Sequence, residues 1–217
     1  MVENAQCTVP AVILAGGRSR RLGGGDKCLL SLAGRPILAH VIERIRPQVT
    51  EFALNANGDP ARFAGFGLEI VADDAADYAG PLAGILAGFE WAARRQPNAT
   101  HLLTVPSDAP FLPLDLVDRL GAAVAGSAAP ALAASGGRVH PVIGLWPCTL
   151  REALHQALRV QGLRKVEDWT GGLAPRVVDF AVDPVDPFLN VNRPEDLVAA
   201  ERLCARAPKA IQPSGGG

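Results

Sequence analysis

The chain has 217 residues, 48% of them hydrophobic, and a formal net charge of -1. That much apolar side chain can bury one sizeable core, which excludes wholesale disorder, and the balanced charge gives no argument for DNA, RNA or an anionic membrane as partner. Cys7, Cys28, Cys148 and Cys204 form no C-x-x-C pair, which argues against a zinc site or disulfide framework and fits a reducing cytoplasm. No stretch reaches the ~18 consecutive apolar residues of a membrane span, and the opening MVENAQCTVP lacks the pattern of a signal peptide.

Short apolar runs alternate with amphipathic segments. VPAVILA (9–15) reads as a buried strand ending in glycine, and RPILAHVIERI (35–45) as a helix with Pro36 suited to its first position. EFALNAN (51–57) and GLEIVAD (67–73) read as strands, and GPLAGILAGFEWAARR (80–95) as a helix. THLLTVPSDAP (100–110) is a strand running into a proline-bounded turn, followed by a helix over 112–125. APALAAS (129–135) and HPVIGLW (140–146) look like strands joined across Gly136-Gly137. A helix over 149–158, a strand over 176–182 and a closing helix over 193–203 complete the order.

This order predicts an α/β, Rossmann-like fold: one domain with a largely parallel sheet and helices on both faces. The expected division is an N-terminal extension over 1–8, one domain over 9–205 and a flexible tail over 206–217. Ligands in such folds bind beyond the carboxyl ends of the strands. Here those ends are Ala15-Gly16-Gly17, Asn55-Ala56-Asn57, Asp73-Asp74 and Pro106-Ser107-Asp108, expected to converge on one crevice.

The first of these ends opens VILAGGRSRRLGGGDK (12–27), with five glycines and four cationic side chains. It is not a Walker A loop, because Asp26 precedes Lys27 and Cys28 follows it; G-x-G-x-x-G fails at Cys28. Glycines still let backbone N–H groups approach anionic oxygens, with Arg21 and Lys27 as cationic contacts. A solvated loop is the plainer alternative, with Lys27 a surface lysine paired with Asp26.

LAGGRSRRLGGGDK closely resembles the L-A-G-G-x-S-x-R-M-G-x-D-K signature of small nucleotidyltransferases, with Leu22 in place of methionine and one extra glycine. The ordered stretches NAN, DYAGPLAG, VPSDAPFLP, HPVIGLW and FLNVNRPEDL are similar to those of the molybdenum cofactor guanylyltransferases, and the resemblance spans about residues 9 to 203. It implies transfer of GMP from GTP to molybdopterin, or Mo-molybdopterin, with release of pyrophosphate. It also implies dependence on Mg²⁺, with Mn²⁺ as a substitute, a cytoplasmic location, and transient contact with cofactor-insertion proteins or apo-molybdoenzymes.

Within that resemblance Lys27, Asp108 and Arg21 are the catalytic candidates, with Asp108 holding the metal. A turn aspartate that caps the following helix is the alternative for Asp108; Ser107 and Ala109 replace the family's Cys and Thr around it. Leu14, Ala15, Gly16 and Gly17 offer backbone to the nucleotide. Asn55 suits ribose or base, and Asp73 suits guanine N1–H and N2–H₂, with Asp74 and Asp77 nearby in sequence. Within the resemblance Asn190 and Asn192 are assigned to the pterin side, their turn facing the pterin substrate or the metal, although Asn192 also fits a helix N-cap with Pro194 early in the helix. His140 receives no catalytic role, and no Ser-His-Asp arrangement is visible. A cytidylyltransferase for the same pterin, another small-molecule nucleotidyltransferase, and a non-catalytic delivery protein are the competing readings.

Overall fold

A computed structural model of the chain describes residues 9–15, 26–73 and 80–206. The expected extension over 1–8, Gly16, Gly17 and Arg21, Asp74 and Asp77, and the tail beyond Arg206 lie outside the described residues.

Among the described residues nine strands form: β1 Ala11–Leu14, β2 Ser31–Leu32, β3 Arg35–Pro36, β4 Phe52–Asn55, β5 Glu69–Val71, β6 His101–Pro106, β7 Ala131–Ser135, β8 Arg138–Pro147 and β9 Arg176–Phe180. Seven of them make one sheet in the order β5-β4-β1-β6-β8-β7-β9, and β2 pairs with β3 in a separate hairpin. Every neighbouring pair of the large sheet is parallel except those made by β8, which runs antiparallel to both β6 and β7. The expected largely parallel sheet is therefore present, with β8 as its single reversal. Gly136 and Gly137, at φ 55° and 77°, make the two-residue turn from β7 to β8 in a conformation that glycine adopts without steric cost. Opposite β7, the register jumps so that Leu132 faces Gly144 and Ala133 faces His140. The bulge contains Pro141, which has no N–H to give a ladder.

Alternation along β1 sends its side chains to two cores. Ala11 and Ile13 pack with helices α1 (Ile37–Ile45) and α3 (Leu116–Val124) on one face. Val12 and Leu14 pack with α2 (Pro81–Arg95), α4 (Arg151–Arg159) and α5 (Val166–Thr170) on the other. A third, smaller core joins Leu32, Ile37, Phe111 and Val191 to Ala200 of α6 (Pro194–Arg206). Most elements begin or end a few residues from expectation, and two of these boundaries have a plain cause. Pro36 stays extended (ψ 142°) as the cap of α1 rather than its first residue, because its backbone is still paired in the β2–β3 hairpin. Helix α3 starts only at Leu116, after a proline-rich turn; helix α5 and the 3-10 helix Pro60–Phe66 carry too little periodic signal to be expected.

The chain leaves β1 toward β4 and β5, then returns to β6 on the other side of β1. That reversal opens a crevice beyond the carboxyl ends of β1, β4 and β6. Helix α2 closes one wall of it, and Gly84 is why it can lie so near the sheet. A Cβ there would collide with Asn55 Oδ1 and come within 2.9 Å of Leu14 Cδ2. Gly84→Ala is expected to cost about 1–3 kcal/mol, the usual cost of overpacking. Urea denaturation would show it as a lower midpoint, and Asn55 would be displaced with the helix.

Candidate active site

Three segments meet where β1 and β6 end. Ser107 donates its N–H to the Leu14 carbonyl at 3.0 Å, and Ala15 donates to the Asn55 carbonyl at 2.8 Å, so the turns after β1, β4 and β6 are tied backbone to backbone. Lys27 opens the 3-10 helix Lys27–Leu29, and the next residue, Cys28, is buried against Ser107. Burial pushes the Cys28 thiol up to about 11, so it stays protonated and inert. The third segment arrives from far along the chain: Val191 donates its N–H to the Asp108 carbonyl at 2.9 Å.

The side chains follow. Lys27 Nζ donates to Asn192 Oδ1 at 2.7 Å across 165 residues of sequence. It does not pair with Asp26, whose carboxylate lies 2.6 Å from Arg62 Nε. Asp108 is half-buried; burial raises its carboxyl above the ordinary 3.8, and the Lys27 ammonium and a backbone N–H pull it part of the way back. Asp108 stands well before the start of α3, whose cap position is Asp115, so it is not the helix cap that sequence alone left open. Nor does Asn192 cap α6: Asp196 reaches back to accept the N–H groups of Asn192 and Arg193, both at 2.9 Å, which frees the Asn192 side chain for Lys27.

On the side of β4 and β5, Asn55 is buried and gives Nδ2 to the Val71 carbonyl at 3.0 Å and to Asp73 Oδ1 at 2.8 Å. Asn57 donates to Asp73 Oδ2 at 2.6 Å and accepts the Asp73 N–H at 2.9 Å. Asp73 is thus a fixed acceptor whose two oxygens keep lone pairs for further donors. Asn57 and Arg62 carry roles that sequence reading did not single out. Asn57 lies in the same NAN stretch as Asn55, whereas the pairing of Arg62 with Asp26 is purely tertiary.

The strap that carries Asn190 and Asn192 is anchored from below. Ser135 Oγ donates to Asp186 Oδ1 and contacts His140 Nε2, both at 2.8 Å, while Asp186 also accepts the Phe188 N–H at 3.0 Å. A serine, a histidine and an aspartate therefore do come together, contrary to expectation. The serine sits in the middle with its proton committed to the carboxylate, so His140 cannot take that proton and the set is not a nucleophilic triad. Burial holds His140 below its usual range despite the nearby Asp186.

A hard dication suits the oxygen donors here. Asp108 offers a carboxylate, and Asn190 Oδ1, one residue before the Val191 amide that binds the Asp108 carbonyl, is buried without a partner. Because the fold raises the Asp108 carboxyl, its ionised form subtracts stability at every pH above its ordinary 3.8, and acid removes that cost. Asp108→Asn, measured without nucleotide, is expected to melt higher than the wild type at pH 7, with the gap closing as pH falls toward 3.8.

The MobA-like NTP transferase domain family matches residues 11–173. A molybdenum cofactor guanylyltransferase of Rhodopseudomonas palustris is 53% identical over 91% of this chain and 94% of its own, and one of Bradyrhizobium is 53% identical over 94% and 97%. Among solved structures, molybdopterin-guanine dinucleotide biosynthesis protein A of Archaeoglobus fulgidus superposes with a TM-score of 0.69 at 22% identity, over 91% of this chain and 100% of that one, which is a likeness of fold. Taken with the crevice at the β1–β6 reversal, the two close relatives place the chain in the molybdenum cofactor guanylyltransferase family, within the MobA-like NTP transferases.

Proposed function

We propose that the protein transfers GMP from GTP to the terminal phosphate of molybdopterin, free or molybdenum-loaded, and releases pyrophosphate. The observation that carries this reading is the meeting of Lys27, Asp108 and Asn192 at the sheet's reversal point, in a chain half identical to named guanylyltransferases. An oxygen of the pterin phosphate attacks the α-phosphorus, and the bond from that phosphorus to the bridging oxygen of pyrophosphate breaks. Such chemistry needs placement and charge stabilisation rather than a protein nucleophile.

Lys27 is held by one hydrogen bond to Asn192, which leaves two N–H donors for the departing phosphates. Asp108, with the unpartnered Asn190 Oδ1 as a second oxygen donor, would hold Mg²⁺ or Mn²⁺, which would supply electrophilic polarisation of the phosphates when bound. The backbone of Leu14, Ala15, Gly16 and Gly17, with Arg21, is assigned to the nucleotide. Asn55 orients Asp73, whose free lone pairs match guanine N1–H and N2–H₂; cytosine offers an acceptor, N3, where guanine offers N1–H, and would be repelled. Asn190 and Asn192 face the pterin side, on the strap that Ser135, His140 and Asp186 anchor. The cytoplasm fits the free thiols of Cys28, Cys148 and Cys204, and cofactor-insertion proteins or apo-molybdoenzymes would receive the product.

Incubation with molybdopterin, Mg²⁺ and each of the four nucleoside triphosphates tests the whole reading by product mass and pyrophosphate yield. GTP is expected to be used, EDTA to stop turnover, and Mg²⁺ or Mn²⁺ to restore it. Asp108→Ala should lower kcat by at least about 10²-fold, the scale of losing one preorganised charge stabiliser. Preference for CTP would overturn the guanylyl assignment, and binding without pyrophosphate release would mark a delivery protein instead.

A further inference from the structure

Among the described residues, Arg62 is a cation at the crevice that the proposed chemistry leaves unused, and it is well fixed. Asp59 accepts the Ala61 N–H at 2.9 Å and starts the 3-10 helix Pro60–Phe66, which sets Arg62 above the buried Phe63 ring with its guanidinium carbon 4.7 Å from the centroid. Nη2 donates to the Asn57 carbonyl at 2.6 Å and Nη1 to the Asp59 carbonyl at 3.1 Å. Nε lies 2.6 Å from Asp26 Oδ2 as a charge pair, its N–H not aligned as a hydrogen bond. Gly58, at φ 89°, makes room: a Cβ there would come within 3.0 Å of Arg62 Nη1.

Asp26 is the residue immediately before Lys27. Left to itself, its carboxylate would compete with Asn192 for the Lys27 ammonium and repel a polyanion arriving at that ammonium. Both side chains of the Asp26–Arg62 pair are less than a third exposed, at 23% and 29%, so the charge they cancel is only partly screened by water. An ion pair at that exposure adds little to stability. We propose that Arg62 is a positioning residue that acts through Asp26, neutralising and holding that carboxylate away from Lys27 so that Lys27 stays available to the nucleotide's phosphates. Its guanidinium also grips the carbonyl of Asn57, whose side chain holds Asp73, so the same residue links the phosphate side to the base side. The inference rests on the reading of Lys27 as a phosphate contact.

Titration with a fluorescent GTP analogue, alongside steady-state pyrophosphate release, separates this role from a structural one. Arg62→Ala, and the neutral Arg62→Gln that keeps hydrogen-bonding capacity, should each raise Kd and KM about tenfold, the scale of one exposed charge near a partly buried site. Adding Asp26→Asn to either should return both constants to within about threefold of the wild type, because the charge to be neutralised is gone. A structural staple would behave oppositely, with the second substitution making matters worse. Melting temperatures within a few degrees of the wild type show that each variant folds; if Arg62→Ala does not, Arg62→Gln carries the comparison. Constants unchanged within twofold in Arg62→Gln, or no recovery in the double variant, would overturn the inference. Failure of the wild type to bind GTP would instead overturn the guanylyl reading, and the same series is then run with the triphosphate that the wild type does bind, since the argument concerns phosphate charge alone.

Discussion

The hydrogen bond from Lys27 Nζ to Asn192 Oδ1 joins two segments 165 residues apart, and much of the molecule's arrangement serves to make it. An ammonium drawn toward a half-buried carboxylate needs a neutral acceptor if it is to keep its charge without collapsing into a closed ion pair. Asn192 supplies that acceptor. It reaches Lys27 because Val191 is sunk in the third core, between Leu32 and Ile37 on one side and α6 on the other, and because the Val191 amide is bonded to the Asp108 carbonyl. Seen this way, the small core at the end of the sheet is the clamp that brings the late strap onto the crevice made by β1 and β6.

That clamp is itself polar where it could have been apolar. Ser135 and His140 are buried under the strap and bonded to the half-buried Asp186, with the His140 ring 4.9 Å from Phe188 and Phe188 edge-on to Phe180 at 5.1 Å. Such a set is worth little as net stability but fixes one geometry, since any slip leaves a buried group unsatisfied. Asp108 takes the opposite course: it is half-buried with its carboxyl raised, so the free protein carries an electrostatic cost at the point where a cation and phosphates would relieve it. The strap is held rigid by satisfied polar groups, while the reacting end is left under-compensated.

Much of this was legible in the chain. Alternating strands and helices, the apolar run of 100–106 ending in a proline-bounded turn and the Gly136-Gly137 pair led to the largely parallel sheet and the β7–β8 hairpin, because local periodicity and turn chemistry agree with the tertiary fold there. The positions of Lys27, Asn55, Asp73, Asp108 and Asn192 were legible too, through strand ends and an ordered set of motifs. What sequence could not give was partnership. Lys27 next to Asp26 looks like an ion pair along the chain, yet the fold directs one to Asn192 and the other to Arg62. Asn192 before Pro194 looks like a helix cap until Asp196 takes that work. Ser135, His140 and Asp186 have no spacing that announces them. In each case a local rule proposed a neighbour, and long-range packing chose a different one.

The charges of the described crevice show why the glycine-rich segment must be cationic. Asp26, Asp73 and Asp108 bring three carboxylates to the crevice proposed to take a triphosphate, against Lys27 and Arg62. Arg62 is spent on Asp26, and Asp73 is held by two neutral amides that leave its charge in place. Lys27 alone cannot offset a tetra-anion beside Asp108 at any dielectric that a half-dry crevice provides. The proposed reaction would therefore need additional positive charge, and two sources are proposed for it: a dication held by Asp108, and Arg21 of the glycine-rich segment.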